Sequence, residues 1–147
     1  MGVVVWNISS VVLSLPIVLK NKKEKKNMIL DDKNLVAAIV EGIQDRKGRS
    51  ITHVDMSAME DATTRGFVIC SGTSTMQVSA IADSVREYVH EKLAVKPYNY
   101  DGYRNSQWIV LDYGTIYVHV FLPEYRELYR LEDLWNDAVI TEIPDLD

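Results

Sequence analysis

The clearest change of hydrophobic period along the chain is at Trp108 to Phe121, WIVLDYGTIYVHVF. Two runs of β-branched and aromatic residues flank Tyr113-Gly114, where a glycine supplies the positive φ of a tight turn, so the stretch reads as a β-hairpin. A turn closed by Asp112 and Thr115 would pair Leu111 with Ile116, Val110 with Tyr117, Ile109 with Val118 and Trp108 with His119. Side chains alternate faces, so Ile109, Leu111, Ile116, Val118 and Val120 share one aliphatic face that belongs to a core. The opposite face collects Trp108, Val110, Asp112, Tyr117, His119 and Phe121. Large rings with polar handles suit a surface that is wet when free and dry when bound, which makes this face a candidate for partner binding. The competing reading is that the chain's own helices cover it.

Upstream, Asp31 or Asp32 is a good N-cap for a helix over about 33–47, with Leu35, Val36, Ile39, Val40 and Ile43 at helical spacing and Gly48 beyond the end. Ile51 to Met56 alternates like a strand, and Phe67 to Cys70 is a continuous apolar run, the mark of a strand buried on both faces. Ser74 and Gln77 form a capping box that opens a second helix over about 75–93. Lys96 to Tyr100 reads as a short edge strand, since Pro97 cannot donate to a ladder. Pro123 starts a third helix carrying Tyr125, Leu128 and Tyr129, with a short continuation through Leu131, Leu134 and Trp135. The acidic tail from Ala138 to Asp147 is expected to be loosely held. Strands and helices alternate before the hairpin, so the expected fold is α/β, a single domain with a mixed sheet of about five strands flanked by helices.

A chain of 147 residues can bury a core without disulfides or metals. The single cysteine, Cys70, reads as a small core residue and leaves the reducing cytoplasm as the default location. The net charge of −5 hides an asymmetry, because five lysines and one glutamate before residue 28 give +4 and leave −9 for residues 28–147. An acidic body repels phosphate backbones and attracts basic proteins, so little direct nucleic-acid binding is expected. Residues 1–27 differ in composition from the rest. Their lysines follow the apolar run, unlike those of a secretory signal, and the run is short and polar for a membrane span. This segment reads as an extension, with a start assigned too early, ahead of a domain over 28–136 and the tail over 137–147.

Candidate chemistry is sparse. A triad of Ser71 or Ser74 with His119 and Asp112 can be drawn, but no GxSxG elbow accompanies it. The turn Gly72-Thr73-Ser74 before a helix is the architecture that holds anions, without a phosphate-loop pattern to strengthen it. No spacing suits a metal or another cofactor.

The order FVICSGTSTMQVSAIADSV, WIVLDYGTIYVHVF, RELYRLEDLW resembles the ribosomal silencing factor family, also called Iojap-related proteins, over essentially Met28 to Trp135. The resemblance implies a fold similar to nucleotidyltransferases but without their catalytic carboxylates. It implies a translation repressor, not an enzyme, that binds the L-fourteen protein of the large ribosomal subunit. There it would block the small subunit sterically when nutrients are short. By position it marks Trp108, Asp112 and His119 in the hairpin and Tyr129, Leu131, Leu134 and Trp135 after it. Together with Ile109, Val110, Tyr117 and Phe121, the residues Trp108, Asp112, His119 and Tyr129 are the expected partner contact. The family often has Asp where Arg65 stands, Arg where Met76 stands, and Gly-Asp where this chain has Gly114-Thr115. Two rival arrangements are a nucleotide-binding or nucleotidyltransferase-like enzyme using the Gly72-Thr73-Ser74 turn, and a homodimer through the aromatic face. Against the enzyme, Asp112 lacks a second carboxylate two residues away, because Val110 and Gly114 occupy those places.

Overall fold

A computed structural model describes residues 22–146 other than 61, 63 and 136, with side chains from Asp32 onward. Helix α1 (Lys22–Asp45) is followed by β1 (Arg49–Asp55), β2 (Gly66–Ser71), α2 (Thr75–Leu93), β3 (Asn99–Asp101), β4 (Trp108–Asp112), β5 (Ile116–Phe121), α3 (Pro123–Tyr129), a 3-10 turn (Leu131–Asp133) and β6 (Val139–Ile143). The strands form one sheet in the order β3-β4-β5-β2-β1-β6. Among the described residues only β2 and β5 pair in parallel, so the sheet is mixed, as the sequence pattern implies.

Two differences from the sequence reading have physical causes. α1 begins at Lys22, well before the expected cap, because a cap preference of about 1 kcal/mol yields to tertiary contacts. Asp32 lies inside the helix and spends its carboxylate on Arg65 (2.8 Å) and on the Thr115 hydroxyl (2.6 Å). The N-terminal part of the expected extension, up to residue 21, lies outside the described residues. At the other end, the tail expected to be loose contains a sixth strand, β6, which pairs antiparallel with β1 from Ile51↔Ile143 to Asp55↔Val139. Its Val139, Ile140, Thr141 and Ile143 are β-branched, a strand signal masked by the flanking carboxylates.

The core has two layers, one on each face of the sheet. α1 and α2 cover the first face, where Ile39, Ile43, Ile81 and Val85 bury against Val68, Cys70 and the aliphatic face of the hairpin. These helices touch closely at Gly42, where an added Cβ would sit 2.8 Å from Val85 Cα, and the Ser84 hydroxyl donates to the Gly42 carbonyl at 2.7 Å. Burial pushes the Cys70 thiol up to about 12, which makes it an inert core group. The second face holds Phe67, Ile69, Trp108, Tyr117 and Phe121, with Leu131 closing over them.

Candidate functional site

The hairpin turns one residue later than the sequence suggests. Gly114, at φ +87°, takes the first central position and Thr115 the second, so Asp112 pairs with Tyr117, Val110 with His119 and Trp108 with Phe121. Glycine first is the preference of hairpin turns whose twist matches the strands, and the Asp112 carboxylate fastens the turn by accepting the Gly114 N–H at 2.7 Å. The register moves by two residues. Because that shift is even, each side chain keeps its expected face.

All six residues of the second face are buried: Trp108, Val110, Asp112, Tyr117, His119 and Phe121 are each no more than 4 % exposed. Ile109 is buried in the opposite, aliphatic layer. What covers the aromatic face is the chain's own C-terminal segment. The Tyr129 ring lies 4.7 Å from Trp108, and the Trp135 ring 5.0 Å from Phe67. Trp108 stacks on Phe121 at 4.9 Å and donates its indole N–H to His119 Nδ1 at 3.0 Å. Nδ1 therefore accepts and the neutral ring carries its proton on Nε2, a buried atom with no hydrogen-bond partner among the described residues. Burial pushes the His119 imidazole down to about 3. Burial also raises the Asp112 carboxyl, partly offset by the Gly114 N–H and the Tyr117 hydroxyl.

The cover itself shows an apolar outside. Leu128 is 70 % exposed and Leu134 53 %, while Tyr129 and Trp135 are half-buried between them and the sheet. Exposed Glu124, Glu127 and Asp133 are near these leucines in the chain, with exposed Arg130 paired to Glu127 at 3.4 Å and to Asp133 at 3.0 Å. The short α3 buries none of its own residues, so its helical spacing alone does not say which side faces the sheet.

Arg126, which pattern reading does not single out, anchors the cover. Its guanidinium donates to the Ser50 carbonyl (2.5 Å), the Ser71 hydroxyl (3.0 Å) and the Thr52 hydroxyl (2.9 Å), and pairs with Glu132 at 3.4 Å. One side chain thus joins α3 and the 3-10 turn to the β1 and β2 strands. Ser50 is held with a positive φ of 53° at an irregularity in the β1 ladder, and its N–H donates to Asp145 beyond β6.

The candidate catalytic groups are each committed elsewhere. Ser71 accepts from Arg126, Ser74 caps α2 by accepting the Gln77 N–H, His119 accepts from Trp108, and Asp112 holds the turn. The Gly72-Thr73-Ser74 turn is filled by the chain itself. The Gln77 carboxamide oxygen accepts the Thr73 N–H at 2.6 Å and its hydroxyl at 2.8 Å, and the amide nitrogen donates to the Arg46 and Lys47 carbonyls at the end of α1. The donor that would hold a phosphate is therefore spent on joining two helix ends. Among the described residues no group of three or more His, Cys, Asp or Glu is placed to hold a metal ion, and no helix is long and apolar enough to cross a membrane. Arg65 and Thr115 meet at one carboxylate, Asp32, and Met76 is 80 % exposed.

Residues 30–147 match the family model described as ribosomal silencing factor during starvation. A ribosomal silencing factor from Halalkalibacterium halodurans is 30 % identical over 114 residues, covering 78 % of this chain and 96 % of that protein. One from Haemophilus influenzae is 36 % identical over 101 residues, covering 69 % and 97 %. A mouse protein named mitochondrial assembly of ribosomal large subunit protein 1 is 42 % identical over 72 residues, 48 % of this chain and 32 % of that one. A crystal structure of a Chromobacterium violaceum protein superposes with a TM-score of 0.66 at 30 % identity, over 70 % of this chain and 84 % of that one.

Proposed function

Because the chain belongs to the ribosomal silencing factor family, and so to ribosome-associated regulators of translation, we propose that it binds the large subunit through the L-fourteen protein. Bound there it blocks the small subunit sterically and slows translation under nutrient limitation, in the cytoplasm and without a reaction. The observation that carries this reading is the layered surface at the hairpin. Exposed Leu128 and Leu134 on a half-buried Tyr129 and Trp135 offer apolar surface on a body of net negative charge, which suits a basic protein and disfavours RNA. Tyr129 touches the partner directly. Trp108, Val110, Asp112, Tyr117, His119 and Phe121 act from below, as the floor that sets the height and tilt of the cover, and Ile109 supports them from the other layer.

This division decides which variant tests the reading. Trp108→Ala would remove a ring that is 3 % exposed, at a cost of about 3–5 kcal/mol to the fold, so lost binding would not report on contact alone. Leu128→Asp and Leu134→Asp change exposed positions. In co-sedimentation with purified large subunits each should bind at least about tenfold more weakly than the parent with an unchanged melting temperature, while Met76→Asp on α2 should bind like the parent. Equal binding by both leucine variants would rule out the patch as the contact. No sedimentation of the parent protein would sink the large-subunit reading itself.

A further inference from the structure

A cavity lies away from the hairpin's aromatic face. It has a volume of about 470 Å³ and opens between the Asp32–Val40 stretch of α1 and the ends of β1, β5 and β6. That size falls within the range of small-molecule sites. One wall is branched and aliphatic, made by Val36 and Val40 of α1, Ile116 of β5 and Ile143 of β6. The other carries Asp32, Lys33, His53, Asp55, Ser57 and Arg65, the last held by Asp32. Residues His53 and Asp55 follow Ile51 by steps of two along β1, which puts all three on the helix-covered face.

The polar wall has unspent capacity. Asp32 is committed to Arg65 and Thr115, but Asp55 accepts the Ser57 N–H and, as a carboxylate, can accept further donors. The His53 side chain makes no hydrogen bond, and Lys33 no ion pair, among the described residues. Burial opposes ionisation of Asp55, yet the Ser57 hydroxyl and N–H, with His53 and Arg65 nearby, outweigh it and hold the carboxyl below its usual range. The pocket thus presents a carboxylate with spare acceptor capacity, an exposed lysine and a branched apolar wall.

We propose that this cavity binds an aliphatic α-amino acid, free or at the start of a short peptide. Asp55 receives the ammonium, and Val36, Val40, Ile116 and Ile143 enclose the side chain. In the free amino acid Lys33 faces the carboxylate. The site and the hairpin patch lie on opposite faces of the sheet, so occupancy here needs no ribosome, and the test below stands whether or not the large-subunit reading holds.

The test titrates the full-length, isotopically labelled protein with L-leucine, leucylglycine and N-acetyl-leucine, following backbone amide NMR shifts. Leucine or leucylglycine should give saturating shifts at His53, Asp55 and Ile143 with Tyr129 unmoved, and the tighter of the two names the source. N-acetyl-leucine, which has no ammonium, should bind at least tenfold more weakly. Asp55→Asn should weaken leucine by a similar factor, and Val36→Trp should abolish binding by filling the cavity. Should the tryptophan variant misfold, the asparagine variant still decides. Absence of saturable shifts with all three compounds would overturn the proposal, and so would N-acetyl-leucine binding as tightly as leucine.

Discussion

His119 shows how much a single residue's meaning depends on what covers it. In the sequence it is an imidazole opposite large rings, equally suited to an interface and to a core. In the fold its ring lies between Trp108 and Phe67, with centroids 5.9 and 5.0 Å away, and its value near 3 is below the unfolded value of 6.5. The unfolded chain therefore takes up the proton first. Stability from this residue is fully present above about pH 6.5 and is lost as the pH falls towards 3, by about 1.4 kcal/mol per unit. Urea midpoints should drop between pH 7 and 5 by the equivalent of about 2 kcal/mol from this group. His119→Asn, which keeps an acceptor for the Trp108 indole but cannot titrate, should lose much of that dependence. A variant as acid-sensitive as the parent would assign the effect to other groups. Alternation alone could place His119 on a face, but not say whether that face was covered, because the cover comes from residues 129–135.

At the scale of elements, the sequence is legible where one element satisfies itself. α2 runs from Thr75 to Leu93 as its stripe and capping box predict, and the buried β2 reads directly from its apolar run. Legibility fails where a distant side chain decides. The start of α1 ignores a good local cap while Asp32 reaches Arg65 and Thr115, and the seating of α3 depends on Arg126 reaching three residues of β1 and β2. A lysine cannot reproduce that fork of donors. Arg126→Lys should cost about 2 kcal/mol and redden the tryptophan fluorescence, as Trp135 and Trp108 gain water under a loosened cover. An unchanged spectrum and midpoint would show that the ring contacts of Tyr129 and Trp135 seat the cover unaided.

The whole molecule is a sheet closed on both faces but finished at one edge by a late strand. Deleting residues 138–147 removes β6 and bares the ladder edge of β1, which should lower stability by on the order of 3 kcal/mol and bring concentration-dependent self-association in size-exclusion runs. A truncated chain that stays monomeric with an unchanged midpoint would make β6 an ornament of the sheet. The pairing of β1 with β6 also has a kinetic side. Thr52 meets Ile69 in the adjacent hairpin-like pair but must wait for Glu142, ninety positions along, to complete its other edge. Loop-closure entropy grows only logarithmically, so this distance scarcely lowers final stability, but contacts of such long range are slow to form. A folding chain should therefore dwell with five strands assembled and one edge open, and in native hydrogen exchange the amides of β6 should open well before those of β2. The price of closing the sheet last is a brief window in which the exposed β1 edge can pair with another molecule instead.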